Sequence, residues 1–338
     1  MPPTNDKDAG MAPLRVHILD DWFDTLRGLP CFDLLDGHEV TVWTDHTDDE
    51  DELVRRLADA EVLVLFRERT RITRSLIARL PRLRMISQRS VYPHVDVQAC
   101  SDHGVVLCSN MGSDMPSYAA AELTFGLILS AMRQIPQQMA STRAGNWQIG
   151  VGRTLRGRTL GLIGYGRIAR TVAGYAEAFG MKVQWWASDE GRARAAADAC
   201  DVAPDRASFF ATSDIVSIHV RLKPETRGMI TPEDLAAMRP GAVFVNTSRA
   251  GLIAPGALLA ALDAGRPGMA AIDVFDQEPM RDPSDPLLAH PRLICTPHIG
   301  FVTEDEFDMQ FTDIFEQVRA WAAGTPLNVI NPGALPAA

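Results

Sequence analysis

Short apolar runs alternate with amphipathic stretches along most of the chain. Residues 14–19, 39–43, 62–66, 83–87 and 105–108 read as strands, with helical patterns at 51–60 and 73–80 between them. This is the βαβ rhythm of a parallel sheet covered by helices. A long apolar helix is predicted at Ala119–Arg133, and the rhythm then restarts. The second set of predicted strands is Thr159–Ile163, Lys182–Trp186, Ile215–Ile218, 242–245, Met269–Ile272 and 293–296. Thr231, Pro232, Glu233 and Asp234 supply an N-cap, a first-turn proline and two early acids for one of the intervening helices. Gly180 stands where another should end. Two α/β units follow, the second beginning near residue 110, with a tail from Phe301 that starts as a helix and is placed to return to the first.

Composition changes this picture little but narrows the function. The 338 residues are enough for two domains; 46% are hydrophobic and 22% charged, as in globular proteins. A net charge of −10 argues against nucleic acid or an anionic membrane as a general partner. The five cysteines lack CxxC spacing and the eight histidines form no ligand cluster with them, so reduced thiols, a cytoplasmic location and no metal site are expected. Residues 1–12 are polar, lack the pattern of a secretory leader and are expected to be mobile. The apolar 119–132 stretch contains Glu122 and is short for a membrane span.

The clearest local signal follows the strand at Thr159–Ile163. Gly164, Tyr165, Gly166, Arg167, Ile168 and Ala169 form a GxGxxA turn leading into a helical pattern. Gly164 permits the tight turn, Gly166 lets a pyrophosphate approach the backbone, and the helix offers its free N–H groups. At the end of the next strand an acid usually binds the ribose of NAD, but Ala187 occupies that position. Asp189 lies two residues on, while Arg192 and Arg194 would suit the extra phosphate of NADP. NAD is the reading adopted, with NADP open.

Polar residues cluster just beyond the strand ends, where ligands of such sheets bind: His219; Asn246, Thr247, Ser248 and Arg249; Asp273 and Glu278; and His298. Their chemistry suits alcohol oxidation. A histidine takes the hydroxyl proton, a carboxylate orients it and favours its protonated form, and an arginine grips a substrate carboxylate. His298, Glu278 and Arg249 are assigned these roles.

The blocks beginning at Gly161, Val245, Ala271 and Thr296 together resemble the D-isomer-specific 2-hydroxyacid dehydrogenases, and the likeness runs from about Val62 to the C-terminal helix. The resemblance implies two doubly wound parallel-sheet domains, Rossmann-like or flavodoxin-like. The substrate domain would be split between residues 13–110 and 303–338, around an NAD(P)-binding domain at 111–302. It implies catalytic Arg249, Glu278 and His298. Arg167 and Ile168 would touch the pyrophosphate, Thr247 and Ser248 line the cofactor, and Asp273 meet the nicotinamide amide. Gly164, Tyr165, Gly166, Ala187, His219 and Gly300 complete the cofactor set. It also implies a homodimer, with the 119–133 helix near the interface, and a small D-2-hydroxy acid or 2-keto acid as substrate, as in phosphoglycerate dehydrogenase-like or hydroxypyruvate/glyoxylate reductase-like members.

Three departures stand out. The family's glycine-rich, carboxylate-holding loop is replaced by Gln88, Arg89, Ser90, Val91, Tyr92, Pro93 and His94. Arg89, Ser90, Val91 and Tyr92 are the substrate-binding candidates there. Arg67, Arg69 and Arg89 are candidates for a second substrate anion. Ala250 follows the catalytic arginine in place of glycine, and the ribose acid is missing. Two alternatives are a nucleotide-sensing, corepressor-like binding protein on the same fold and a formate- or phosphite-type dehydrogenase. Glu278 argues against the formate type, which pairs its histidine with glutamine.

Overall fold

The computed structural model describes residues 13–112 and 118–335, so the expectation for residues 1–12 lies outside the described residues. Two compact units divide the chain, one of residues 1–116 with 303–338 and the other of residues 117–302.

In the first unit, β1 (Arg15–Ile18), β2 (Glu39–Val42), β3 (Val62–Val64), β4 (Met85–Arg89) and β5 (Val106–Asn110) form one parallel sheet. Its order is β2-β1-β3-β4-β5. Central β3 is buried throughout, whereas edge strand β2 alternates between exposed and half-buried positions. That contrast is why the middle strands read as unbroken apolar runs. The flanking helices are shorter than the periodicity predicts, at Glu50–Arg56 and Arg74–Ala78. Asp49 and Thr73 cap their starts, and the last residues of each pattern tighten into turns.

The helix Glu304–Ala322 belongs to this unit. It buries Phe307, Phe311, Ile314, Phe315 and Val318 along one stripe, and Phe66 packs 5.1 Å from the rings of both Phe307 and Phe311. Gln317 donates to Ser87 Oγ and the Gln88 carbonyl, and Asn331 accepts from the Leu107 N–H.

In the second unit, β6 (Thr159–Ile163), β7 (Lys182–Trp186), β8 (Ile215–Ile218), β9 (Val243–Asn246), β10 (Met269–Ile272) and β11 (Leu293–Cys295) form a parallel sheet. The order is β11-β10-β9-β8-β6-β7, so the winding reverses between β6 and β8. The Ala119–Arg133 helix buries Phe125, Leu127, Ile128 and Met132 in the core that also holds Leu160, Val172 and Val245. Thr231 and Asp234 form a reciprocal capping box, and Gly180 adopts φ +71° just after the Arg167–Ala178 helix. No helix among the described residues is long and apolar enough to cross a membrane.

Candidate active site

The site grows from the carboxyl ends of β6, β8, β9, β10 and β11. At the first, Gly164 has φ +98°, and a Cβ there would lie 2.5 Å from the His219 carbonyl oxygen. Both facts demand glycine. Gly166 is different: its φ suits any residue, and a Cβ on it would meet nothing within 4 Å. Its bareness leaves room in front of the Arg167–Ala178 helix, whose N-cap is Gly166 itself, with no side-chain cap on the first-turn N–H groups. Uncapped donors, the positive end of the helix and open space above the turn fit a pyrophosphate. Tyr165 turns away, packing edge-on to Trp185 and donating to Asp198 at 2.5 Å. Its side chain anchors the turn.

At the end of β7, Arg192 lies over the Trp186 ring, donates to the Ala187 carbonyl at 2.8 Å and pairs with Asp189 at 2.5 Å. Arg194 donates to the Tyr165 carbonyl. The guanidinium of Arg192 thereby ties an exposed carboxylate to the position where the ribose acid is missing.

His219, after β8, hydrogen-bonds Ser217 Oγ through Nε2, and burial pushes its imidazole down to about 4. That favours the neutral ring. After β9, the buried Asn246 accepts from the Ser248 N–H and donates to the Arg249 carbonyl. Ser248 Oγ donates to the Ile218 carbonyl, and Thr247 Oγ1 meets Thr124 Oγ1 at 2.7 Å. This network fixes the turn from which the exposed Arg249 projects.

His298 Nδ1 lies 2.5 Å from Glu278 Oε2, and Glu278 Oε1 accepts the Phe275 N–H at 2.8 Å. Burial alone would raise the Glu278 carboxyl. Hydrogen bonds from His298 and Phe275, with the charges of His298 and Arg249, outweigh it and hold the group below its ordinary value. The carboxylate is therefore ionised beside the imidazole. His298 itself has φ +54°, in the left-handed region that costs a non-glycine residue ~1–2 kcal/mol.

Asp273 shows what compensates. Its carboxylate is fully buried and accepts from Thr296 Oγ1 at 2.6 Å, the Ile299 N–H at 2.8 Å and the Gly300 N–H at 2.8 Å. Burial raises its pKa, against the pull of these three donors. Three hydrogen bonds to a charged acceptor, ~1.5–3 kcal/mol each, bracket the strained histidine. A Cβ on Gly300 would crowd Asp273 Oδ2 at 3.1 Å. Sequence reasoning missed this role for Asp273 and the work of Asn246, although both are polar residues at the ends of apolar strands.

In the first unit, Arg89 is turned inward: its Nε pairs with Asp313 at 2.8 Å. Tyr92 is half-buried and packs on the core, while Val91 is exposed. Ser90 adopts φ +78°, so the loop keeps at this position a glycine-like backbone without the glycine.

A doubly wound sheet with an open glycine turn at its winding reversal defines a dinucleotide-binding α/β protein. Residues 125–300 match the family described as D-isomer specific 2-hydroxyacid dehydrogenase, NAD binding domain, and the chain belongs to that family. It is 36% identical over 302 residues to a D-3-phosphoglycerate dehydrogenase of Methanocaldococcus jannaschii, covering 88% of this chain and 56% of that protein. It is 34% identical over 299 residues to a hydroxypyruvate reductase of Thermotoga maritima, covering 87% and 94%. A solved Ralstonia solanacearum oxidoreductase, provisionally named D-3-phosphoglycerate dehydrogenase, matches with TM-score 0.89 and 44% identity over 96% of this chain and 98% of its own. The chain spans about half the length of the D-3-phosphoglycerate dehydrogenases of Methanocaldococcus jannaschii and Mycobacterium bovis.

Proposed function

We propose that the protein is an NAD-dependent oxidoreductase acting on a small D-2-hydroxy acid or its 2-keto acid. The observation that carries this reading is the His298–Glu278 pair, held beside a strained backbone at the strand ends of a dinucleotide-binding sheet. When bound, the nicotinamide supplies hydride transfer. The chain's residues handle charge and protons. His298 gives Nδ1 to Glu278, which leaves Nε2 to donate a proton to the carbonyl oxygen in reduction and to take it back in oxidation. Glu278, ionised, stabilises the imidazolium form. Arg249 anchors the substrate carboxylate through its planar fork of donors. Gly164, Gly166, Arg167 and Ile168 cradle the pyrophosphate. Thr247, Ser248 and Asp273 shape the nicotinamide end, Asp273 chiefly by holding the His298 loop. Residues 13–110 and 303–338 serve as the substrate domain and 111–302 as the cofactor domain.

The five cysteines are all free thiols, which suits a reducing cytoplasm. A second copy of the chain is the proposed partner. Ile135, Met139, Trp147, Ile149 and Val151 expose large apolar side chains within one short stretch of the second unit, Trp147 and Val151 to 75% and 93%. Light scattering of wild type and Trp147→Asp tests this, with a dimer expected for the first and a monomer for the second.

The function is tested by following NADH absorbance with glyoxylate, hydroxypyruvate, pyruvate and phosphohydroxypyruvate. Oxidation of NADH by at least one acid is expected. Tight NADH binding without turnover of any acid would move the assignment to a nucleotide sensor.

A further inference from the structure

Three arginines of the second unit meet near the amino end of β6, the end opposite the glycine turn. A cavity of about 400 Å³ lies there, lined by Arg133, Arg153 and Arg156 together with Leu129, Leu155 and Phe179. The five residues of β6, roughly 17 Å at ~3.3 Å per residue, separate that end of the strand from the nucleotide turn. Glycines let the arginines come together. A Cβ on Gly152 would lie 3.0 Å from Arg133 Cα, one on Gly241 2.8 Å from Arg153 Nη1, and one on Gly180 3.3 Å from the guanidinium carbon of Arg156. The Arg153 N–H donates to the Met132 carbonyl at 2.8 Å, which strings the 152–156 loop along the end of the Ala119–Arg133 helix.

The charge gathered here lacks a counter-charge. Arginines beside a helix C-terminus ordinarily hydrogen-bond its last carbonyls or pair with a carboxylate. Among the described residues, the side chains of Arg133, Arg153 and Arg156 do neither. The Asp214 carboxylate is occupied by others: Arg158 at 3.6 Å, Arg239 at 3.2 Å and the Thr159 N–H at 2.9 Å. Arg153 is half-buried, and burial together with the charge of Arg158 pulls its guanidinium below the ordinary value despite Asp214. Like charges lining one cavity repel, and a bound anion removes that cost. Guanidiniums present planar forks of donors to carboxylate or phosphate oxygens. Leu129, Leu155 and the 45% exposed Phe179 offer apolar contact beside them.

We propose that this cavity is a second anion site, which takes a small organic anion carrying two or more carboxylate or phosphate groups on a short hydrocarbon frame. It uses none of the residues assigned to cofactor, proton transfer or substrate carboxylate. It therefore stands whether or not the dehydrogenase reading holds.

The test is isothermal titration calorimetry of the NADH-saturated protein with citrate and with inorganic tripolyphosphate, NADH filling the pyrophosphate site first. Wild type is expected to bind at least one of them at one site per chain, and the tighter of the two identifies the preferred acid group. Arg133 and Arg156 are exposed, and their removal takes no hydrogen bond from the fold. Arg133→Gln and Arg156→Gln are each expected to weaken binding by about tenfold, the scale of one charge-assisted hydrogen bond. Arg249→Ala, which removes the proposed substrate anchor, is expected to leave it unchanged. No saturable binding of either anion to wild type, affinity unmoved in both glutamine variants, or affinity lost in Arg249→Ala overturns the proposal.

Discussion

The carboxylate of Asp273 accepts the Gly300 N–H at 2.8 Å, and that contact closes a short loop with His298 inside it. Asp273 also accepts from the Thr296 hydroxyl and the Ile299 N–H, so the segment is pinned on both sides of the histidine. Removing the pins releases a left-handed residue toward ordinary backbone. Asp273→Ala is predicted to destabilise the fold by about 2–4 kcal/mol in denaturant titrations. Asp273→Asn, which turns an acceptor into a donor facing N–H groups, is predicted to lower kcat ~10²-fold through misplacement of His298. Unchanged kcat in the asparagine variant would mean the loop holds itself.

Glu278 is held below the ordinary carboxyl range, so its charge persists through neutral and mildly acidic pH. That charge favours the protonated imidazole required for keto-acid reduction. Glu278→Gln is therefore predicted to move the alkaline limb of the reductive kcat/KM profile to lower pH. The linked stability has the matching sign. A depressed carboxyl contributes above its unfolded value and loses its contribution as pH falls through the folded one, so wild type should lose more stability than Glu278→Gln on acidification. A limb that stays in place would remove Glu278 from the proton-transfer pair.

Asp189 is fixed by Arg192 next to Ala187. We predict that it stands in for the missing ribose acid and that Asp189→Ser shifts the NADH/NADPH ratio of kcat/KM toward NADPH by about tenfold, or ~1.4 kcal/mol. An unshifted ratio would make Asp189 an ordinary helix-start residue.

Ser90 sits at φ +78°, its N–H bonded to the Asn110 carbonyl and its own carbonyl accepting from Gln88 and Ser109. These bonds impose a glycine conformation on serine. Ser90→Gly is predicted to leave Tm unchanged or higher, because relief of strain offsets the greater freedom of the unfolded chain. Ser90→Val should cost about 1–2 kcal/mol. Equal losses in both variants would contradict this.

Much of the second unit was legible in the sequence because most of its strands are short, buried apolar runs set off by helical stretches. Thr159–Ile163, Lys182–Trp186, Ile215–Ile218 and Met269–Ile272 have the predicted bounds. Helix ends in the first unit were less legible, because the periodicity of residues 51–60 continues into a turn after Arg56. For the site, spacing revealed which polar residues crown the strands but not where their side chains turn. Arg89, a substrate-binding candidate in the sequence, pairs with Asp313, more than two hundred residues away in the chain, a contact no spacing could show. Tyr165, within the phosphate loop, spends its hydroxyl on Asp198. The left-handed backbone of Ser90 and His298 could not be read from residue types that normally avoid it.

The central claim is that His298 moves the proton and Arg249 holds the acid. The most direct measurement is the steady-state rate of NADH oxidation with the best 2-keto acid, in wild type, His298→Ala and Arg249→Ala, alongside NADH affinity. The account predicts turnover lowered by at least ~10²-fold in His298→Ala, the scale of general acid–base catalysis, with NADH affinity retained. It predicts a kcat/KM loss dominated by KM in Arg249→Ala. Turnover in His298→Ala close to that of wild type would contradict it.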